Sequence, residues 1–320
     1  MASRFKSRPR SWAALGALSI AAAATALVGA STSAASNKAS CGTVTLNENS
    51  WVGSTANVYV VKNVLEQKYK CNVQIKQIAE IPVYQALAAG QVDAVLEDWQ
   101  HVDQYKQYEQ KLKVAQDAGS NGVTGHIGWY VPSYVVQQHP EMKTWKGLLK
   151  DWALFKTAES GGKGELLDGD PSYVTADEPL ISNLKLNLKV VYAGGEASQI
   201  TSVKQAYAQK KPILFYWYTP QWLNAELKLT EVMLPPRTTG CDAVVAKTNC
   251  AYPSYDLRKI ISTKFAKSGS PAVNVIKKFS WTAQDQNNVA VMIAGKKMKP
   301  DDAAKKWIAA NPTKVKAWES

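Results

Sequence analysis

Eleven tryptophans stand in the 320-residue chain, and three of them occupy comparable places. Trp51 follows the apolar stretch Val44-Thr45-Leu46, Trp99 follows residues 92–96, and Trp217 follows residues 213–216. Each stretch reads as a short strand. In open parallel sheets, ligands bind beyond the carboxyl ends of strands. Trp129 and Tyr130 fall near the same place if HIGWYVPSYVV crosses between two lobes. A single tryptophan is more often a packing residue, so the expectation rests on three at equivalent positions. Trp145, Trp152, Trp222, Trp281, Trp307 and Trp318 lack that placement and are assigned to packing.

Converging indole faces suit a quaternary ammonium ion. Such an ion has no N–H to donate, so hydrogen bonds cannot select it. Its diffuse charge and methyl groups fit the negative, apolar face of an indole, at about 0.5–1 kcal/mol per exposed contact and about 2 or more when desolvated. Sugars also stack on rings, but a sugar site adds Asp, Asn and Arg, whereas the neighbours of Trp51 and Trp217 are small or aromatic. A carboxylate at the ligand's other end wants backbone N–H groups at a helix start. Gly53, Ser54 and Thr55 stand in position to supply one. The segment Asp168 to Tyr173, with Ser172, reads equally as a polar contact or a surface turn. Glu97 and Asp98, which flank Trp99, are expected to be a solvated pair, with contact of one of them to a ligand hydroxyl or ammonium as the alternative.

Catalytic signatures are missing. The chain has no G-x-S-x-G, H-E-x-x-H or P-loop pattern. Its three histidines stand near no convincing nucleophile. No cofactor or metal site is expected. Four cysteines, Cys41, Cys71, Cys241 and Cys250, allow three pairings, and proximity favours Cys241–Cys250 with Cys41–Cys71. Lipid attachment at Cys41 is the competing use, though Lys38 departs from the apolar residue that signal wants.

Residues 1–35 have a basic start, an apolar run from Trp12 to Val28 and small residues after it, the layout of an export signal. Export favours disulfides and makes a nucleic-acid partner improbable. The formal charge is +12, and removing four basic residues with 1–35 leaves +8, scattered rather than gathered on one face.

Strands alternate with helical patterns, which predicts an α/β fold with a mainly parallel sheet. Residues 42–99 read strand, helix from Ala56 to about Tyr69, strand, helix between Pro82 and Gly90, strand. The stretch SGGKGELLDGDPSY reads as a loop, 198–209 as a helix, and the tail from Tyr255 as helical. The expected lobes are 42–127 with 216–320, and 128–215.

Four stretches, NSWVGSTANVYVVKNVLEQKY (49–69), YQALAAGQVDAVLEDWQ (84–100), GWYVPSYV (128–135) and KKPILFYWYTPQWL (210–223), give the chain a family likeness. It resembles the substrate-binding proteins of ABC transporters for glycine betaine, proline betaine, choline and carnitine. The resemblance implies a type II periplasmic-binding-protein fold, two lobes closing by a hinge, and an aromatic cage to which Trp51, Trp99, Trp217 and Trp129 correspond. It implies a monomer in the periplasm or at the outer face of the cytoplasmic membrane, delivering ligand to a permease and its ATPase in osmoprotection. Choline-binding members carry an acid shortly after the first cage tryptophan, where this chain has Val52, Gly53 and Ser54. That tilts the expected ligand towards a betaine. A binder of sugars or amino acids and a secreted hydrolase remain as alternatives, although Arg237 and Arg258 are the only arginines after residue 35.

Overall fold

The computed structural model describes residues 41–319, so the expected export signal lies outside the described residues. Nine strands form one sheet: β1 (Thr43–Asn47), β2 (Asn72–Lys76), β3 (Ala94–Asp98), β4 (Ala115–Pro132), β5 (Gly164–Asp168), β6 (Leu188–Tyr192), β7 (Phe215–Thr219), β8 (Leu229–Val232) and β9 (Ser254–Ser262). Their order is β2-β1-β3-β9-β4-β7-β5-β6, with β8 also paired to β4. The two ends are parallel: β1 lies between β2 and β3, and β5 between β6 and β7. The long strands β4 and β9 run antiparallel through the middle and join them.

The first parallel unit forms as its pattern predicts. Helix α1 (Val52–Tyr69) buries Ala56, Val60, Val61, Val64 and Leu65. It ends where Lys70 turns left-handed at φ 56°. Pro82 starts helix α2 (Pro82–Ala88), as a proline at the first helical position can. The helices Pro271–Lys278, Ala283–Ala290 and Pro300–Ala310 pack on α1. Trp281, Trp307 and Trp318 meet there, with Trp307 and Trp318 stacked at 6.0 Å, so their assignment to packing holds.

Three expectations need correction. GELLD, read as loop, is β5, the inner strand of the second parallel unit. Only Leu166 and Leu167 are apolar there, and flanking glycines mask them. The tail from Tyr255 opens as strand β9, whose pairing with β3 and β4 the local sequence does not announce. The strand read over 213–216 begins only at Phe215 and runs to Thr219, placing Trp217 at its centre. Strands β7 and β8 both pair with β4.

Both disulfides pair as proximity suggested, Cys41–Cys71 and Cys241–Cys250. Cys41 therefore offers no free thiol to a lipid. The Cys41–Cys71 bridge ties the chain before β1 to the loop before β2 across a separation of 30 residues. Loop-closure entropy makes such a bridge worth about 3–4 kcal/mol. Replacing both cysteines by serine should lower the unfolding free energy by that order in urea denaturation. Removing Cys241–Cys250, with a separation of 9, should cost less.

Candidate functional site

A cavity of about 570 Å³ opens where β1 and β3 end, beside β4, β7 and β9. Its aromatic wall comprises Trp51, Trp99, Tyr173, Tyr216, Tyr218 and Tyr255. The rings form two chains. Tyr173 meets Trp51 edge-on at 5.8 Å and Tyr216 at 6.1 Å. Trp99 meets Tyr218 edge-on at 5.8 Å and Tyr255 at 5.5 Å.

Strand ends place the tryptophans as expected. Trp51 follows β1 and precedes α1, while Trp99 follows β3. Glycines leave room for the rings. A Cβ on Gly125 would lie 2.5 Å from Cζ3 of Trp99, and one on Gly169 would lie 2.7 Å from Cε2 of Tyr173.

A buried carboxylate holds the two indoles. Oε1 of Glu97 accepts the indole N–H of Trp51 at 2.7 Å and that of Trp99 at 3.2 Å. Its Oε2 accepts amide N–H bonds from Asn57 at 2.5 Å and Gln286 at 3.1 Å. Burial raises the Glu97 pKa, its donors oppose the rise and the nearby Glu196 adds to it, leaving it at about 7. Glu196 is buried too. It accepts the Tyr218 hydroxyl, Nε2 of Gln221 at 3.1 Å and the backbone N–H of Val52 at 2.8 Å. Burial raises its pKa against these bonds. Two carboxylates thus lie behind the rings in a low-dielectric setting, where their attraction for a cation is poorly screened.

The other titratable groups are held. His101 is buried between Asp98, at 2.9 Å, and Glu80, at 3.2 Å. Burial alone would lower its pKa, but its bonds to both acids lift it to about 10. With both ring nitrogens engaged, His101 cannot activate a nucleophile. Among the described residues no cluster suited to a metal is found.

The sequence-predicted residues separate clearly. Trp51 and Trp99 line the cavity, whereas Trp217 does not. Side chains alternate along a strand, so Tyr216 and Tyr218 face the cavity while Trp217 faces away. Trp217 is fully buried against Phe215 and donates to Asn224 at 2.7 Å. Trp129 is also fully buried, donating to Asp177 at 2.6 Å, and Tyr130 packs in the cluster of Trp217. Neither lines the cavity. Gly53 is closed in by Gln286 and Glu97, and Ser54 Oγ accepts from the backbone of Asn49 at 2.9 Å. The backbone N–H of Ser172 donates to Oδ1 of Asp170 at 2.9 Å in an exposed turn, while its neighbour Tyr173 reaches the wall. Glu97 and Asp98, expected to be solvated, are both buried. Tyr216, Tyr218, Tyr255 and Glu196 escaped notice; once pairing sets the limits of β7, the two-residue spacing of Tyr216 and Tyr218 puts both on one face.

The cavity lies at strand ends and is walled by rings, and the fold around it is that of the type II periplasmic-binding proteins. The profile of the family described as the substrate binding domain of ABC-type glycine betaine transport systems matches residues 42–310, and the chain belongs to that family. Its members are extracytoplasmic binding proteins that work with a permease and ATPase, not enzymes. A trimethylamine N-oxide-binding protein of Pelagibacter ubique is 24% identical over 289 residues, covering 84% of this chain and 88% of that one. Lactococcal OpuAC, closed on glycine betaine, superposes with a TM-score of 0.69 at 21% identity, covering 87% of this chain and all of that one. A choline-binding protein in complex with choline gives 0.68 at 19%, covering 87% and 93%. No helix among the described residues is long and apolar enough to cross a membrane.

The raised Glu97 pKa has a measurable sign. Between the ordinary carboxylate range and about 7, the folded chain keeps a proton that the unfolded chain has lost. Stability of the empty protein should therefore fall as pH rises through that window. Glu97→Gln should remove part of this slope in thermal melts at successive pH values, and an unchanged slope would contradict the assignment.

Proposed function

We propose that this chain is the receptor subunit of an ABC importer and selects a small cation with a methylated nitrogen. The methylated head sits among Trp51, Trp99, Tyr173, Tyr216, Tyr218 and Tyr255. The observation that carries the reading is the Glu97 carboxylate under both indole N–H groups. A negative charge on that side draws electron density towards the ring faces and strengthens their hold on a cation. The relatives that bind trimethylamine N-oxide, glycine betaine and choline support a methylated ammonium head.

The ligand's other end is read differently from the sequence expectation. A betaine carboxylate was to meet N–H groups at the start of α1. The Val52 N–H already serves Glu196, and Gly53 lies closed in beside Glu97. No arginine lines the cavity, and the two cationic side chains that do, His101 and Lys106, are paired with acids. The site therefore favours methylated ammonium ions with an uncharged tail over betaines, with glycine betaine and proline betaine as weaker members of the same class. Two half-sheets joined by β4 and β9 would act as the lobes, closing on the ligand as a monomer outside the cytoplasmic membrane.

Titration calorimetry with choline, trimethylamine N-oxide, carnitine and glycine betaine tests the class. Choline should bind at least as tightly as glycine betaine, and silence from all four would end the reading. Affinity should rise as pH passes upward through about 7, because the cation favours ionised Glu97. Trp99→Ala should weaken binding about 30-fold or more, the loss of one desolvated cation–π contact of about 2 kcal/mol or more. Trp217→Phe should act on stability rather than affinity.

A further inference from the structure

The cavity is larger than a methylated ammonium head requires. At about 570 Å³ it falls within the roughly 300–1,000 Å³ typical of sites for drug-sized ligands. Beyond the rings its wall changes character. Ile81 before α2, Val102 after β3, Val174 after β5 and Val245 in the Cys241–Cys250 loop all line it. They are also 40%, 58%, 45% and 60% exposed. Isolated exposed apolar residues are ordinary. These four come from four separate segments and surround one opening.

The charged groups at that opening already have partners. Glu80 holds His101 and accepts the Val174 N–H at 3.2 Å. Asp242 pairs with Arg237 at 2.8 Å, and Asp103 with Lys106 at 3.5 Å. The loop carrying Val245 is firm. Its disulfide closes it, and Nδ2 of Asn183 donates to the carbonyls of Ala246 at 3.1 Å and Thr248 at 2.9 Å. Apart from the Gln104 amide, apolar surface is what remains for a ligand to cover.

We infer that the mouth of the cavity is a second subsite, which takes an alkyl chain carried by the methylated ammonium ion. The inference rests on the proposed function and names the tail of its ligand. The chain leaves the ring box between Val174 and Ile81 and runs out beside Val245 and Val102. Each methylene covered there transfers from water to apolar contact, worth up to about 0.8 kcal/mol or about fourfold in affinity. A partly open mouth lowers that to about twofold per methylene.

The test is a calorimetric series on the purified chain, from tetramethylammonium through ethyl-, butyl- and hexyltrimethylammonium. Affinity should climb about two- to fourfold per methylene and level off once the chain passes the mouth. The double substitution Val102→Asp and Val245→Asp, at exposed positions the fold tolerates, should flatten the climb. Binding of tetramethylammonium with no gain along the series would overturn the subsite and leave the proposed function standing. A climb that survives the double substitution would also overturn it. Failure of every member, choline included, would instead sink the proposed function.

Discussion

The Glu97 carboxylate collects four donors: the indoles of Trp51 and Trp99 and the amides of Asn57 and Gln286. A buried carboxylate is costly unless its oxygens are satisfied. The arrangement therefore works in both directions. The donors make burial of the acid tolerable, and the acid fixes where each donor stands. Two rings from different strand ends become one wall because they share an acceptor. Asn57 belongs to α1 and Gln286 to a late helix packed against it, so much of the first parallel unit is committed to the same atom pair.

The rest of the wall follows from strand geometry. β7 turns Tyr216 and Tyr218 towards the cavity and Trp217 away, and the parity of a strand permits no compromise. β4 contributes by omission, since Gly125 leaves the space that the Trp99 ring fills. Glu196 then fixes Tyr218 from behind while accepting from the first turn of α1. A negative group at a helix start is favourable in itself, so this acid completes the helix and positions the ring together. That is also why the Val52 N–H is not left for a ligand's carboxylate.

Local patterns made the first parallel unit legible. α1 could be read from its spacing, and so could Trp51 and Trp99, because each follows a strand with clear edges. Trp217 was misread for a physical reason. The apolar run KPILFYWYT has no alternation of polarity, so its true limits, and with them its facing, depend on pairing with β4 and β5. Residue type then favoured the tryptophan over its tyrosine neighbours. β5 and β9 were hidden similarly, since both are defined by distant partners rather than by their own composition. Glu97 looked solvated because two adjacent acids usually are. Only the tertiary fold brings four donors to one of them and a histidine and two tyrosines to the other.

Few polar contacts span the cleft. Tyr173 donates to the Ser50 carbonyl at 3.3 Å, the Val174 N–H meets Glu80, and Glu196 meets the Val52 N–H. The bond to Ser50 is worth about 1 kcal/mol net and those to the two carboxylates about 1.5–3 each, a modest hold between the two half-sheets. The ring wall is divided the same way. Trp51, Trp99 and Tyr255 belong to one side, and Tyr173, Tyr216 and Tyr218 to the other. Under the proposed function a cation is surrounded only when both sides are present, so the energy that recognises the ligand would also be the energy that closes the cleft. A ligand shifts such an equilibrium only by its differential affinity for the closed form. Dividing the cage between the halves makes that differential nearly the whole of the binding energy.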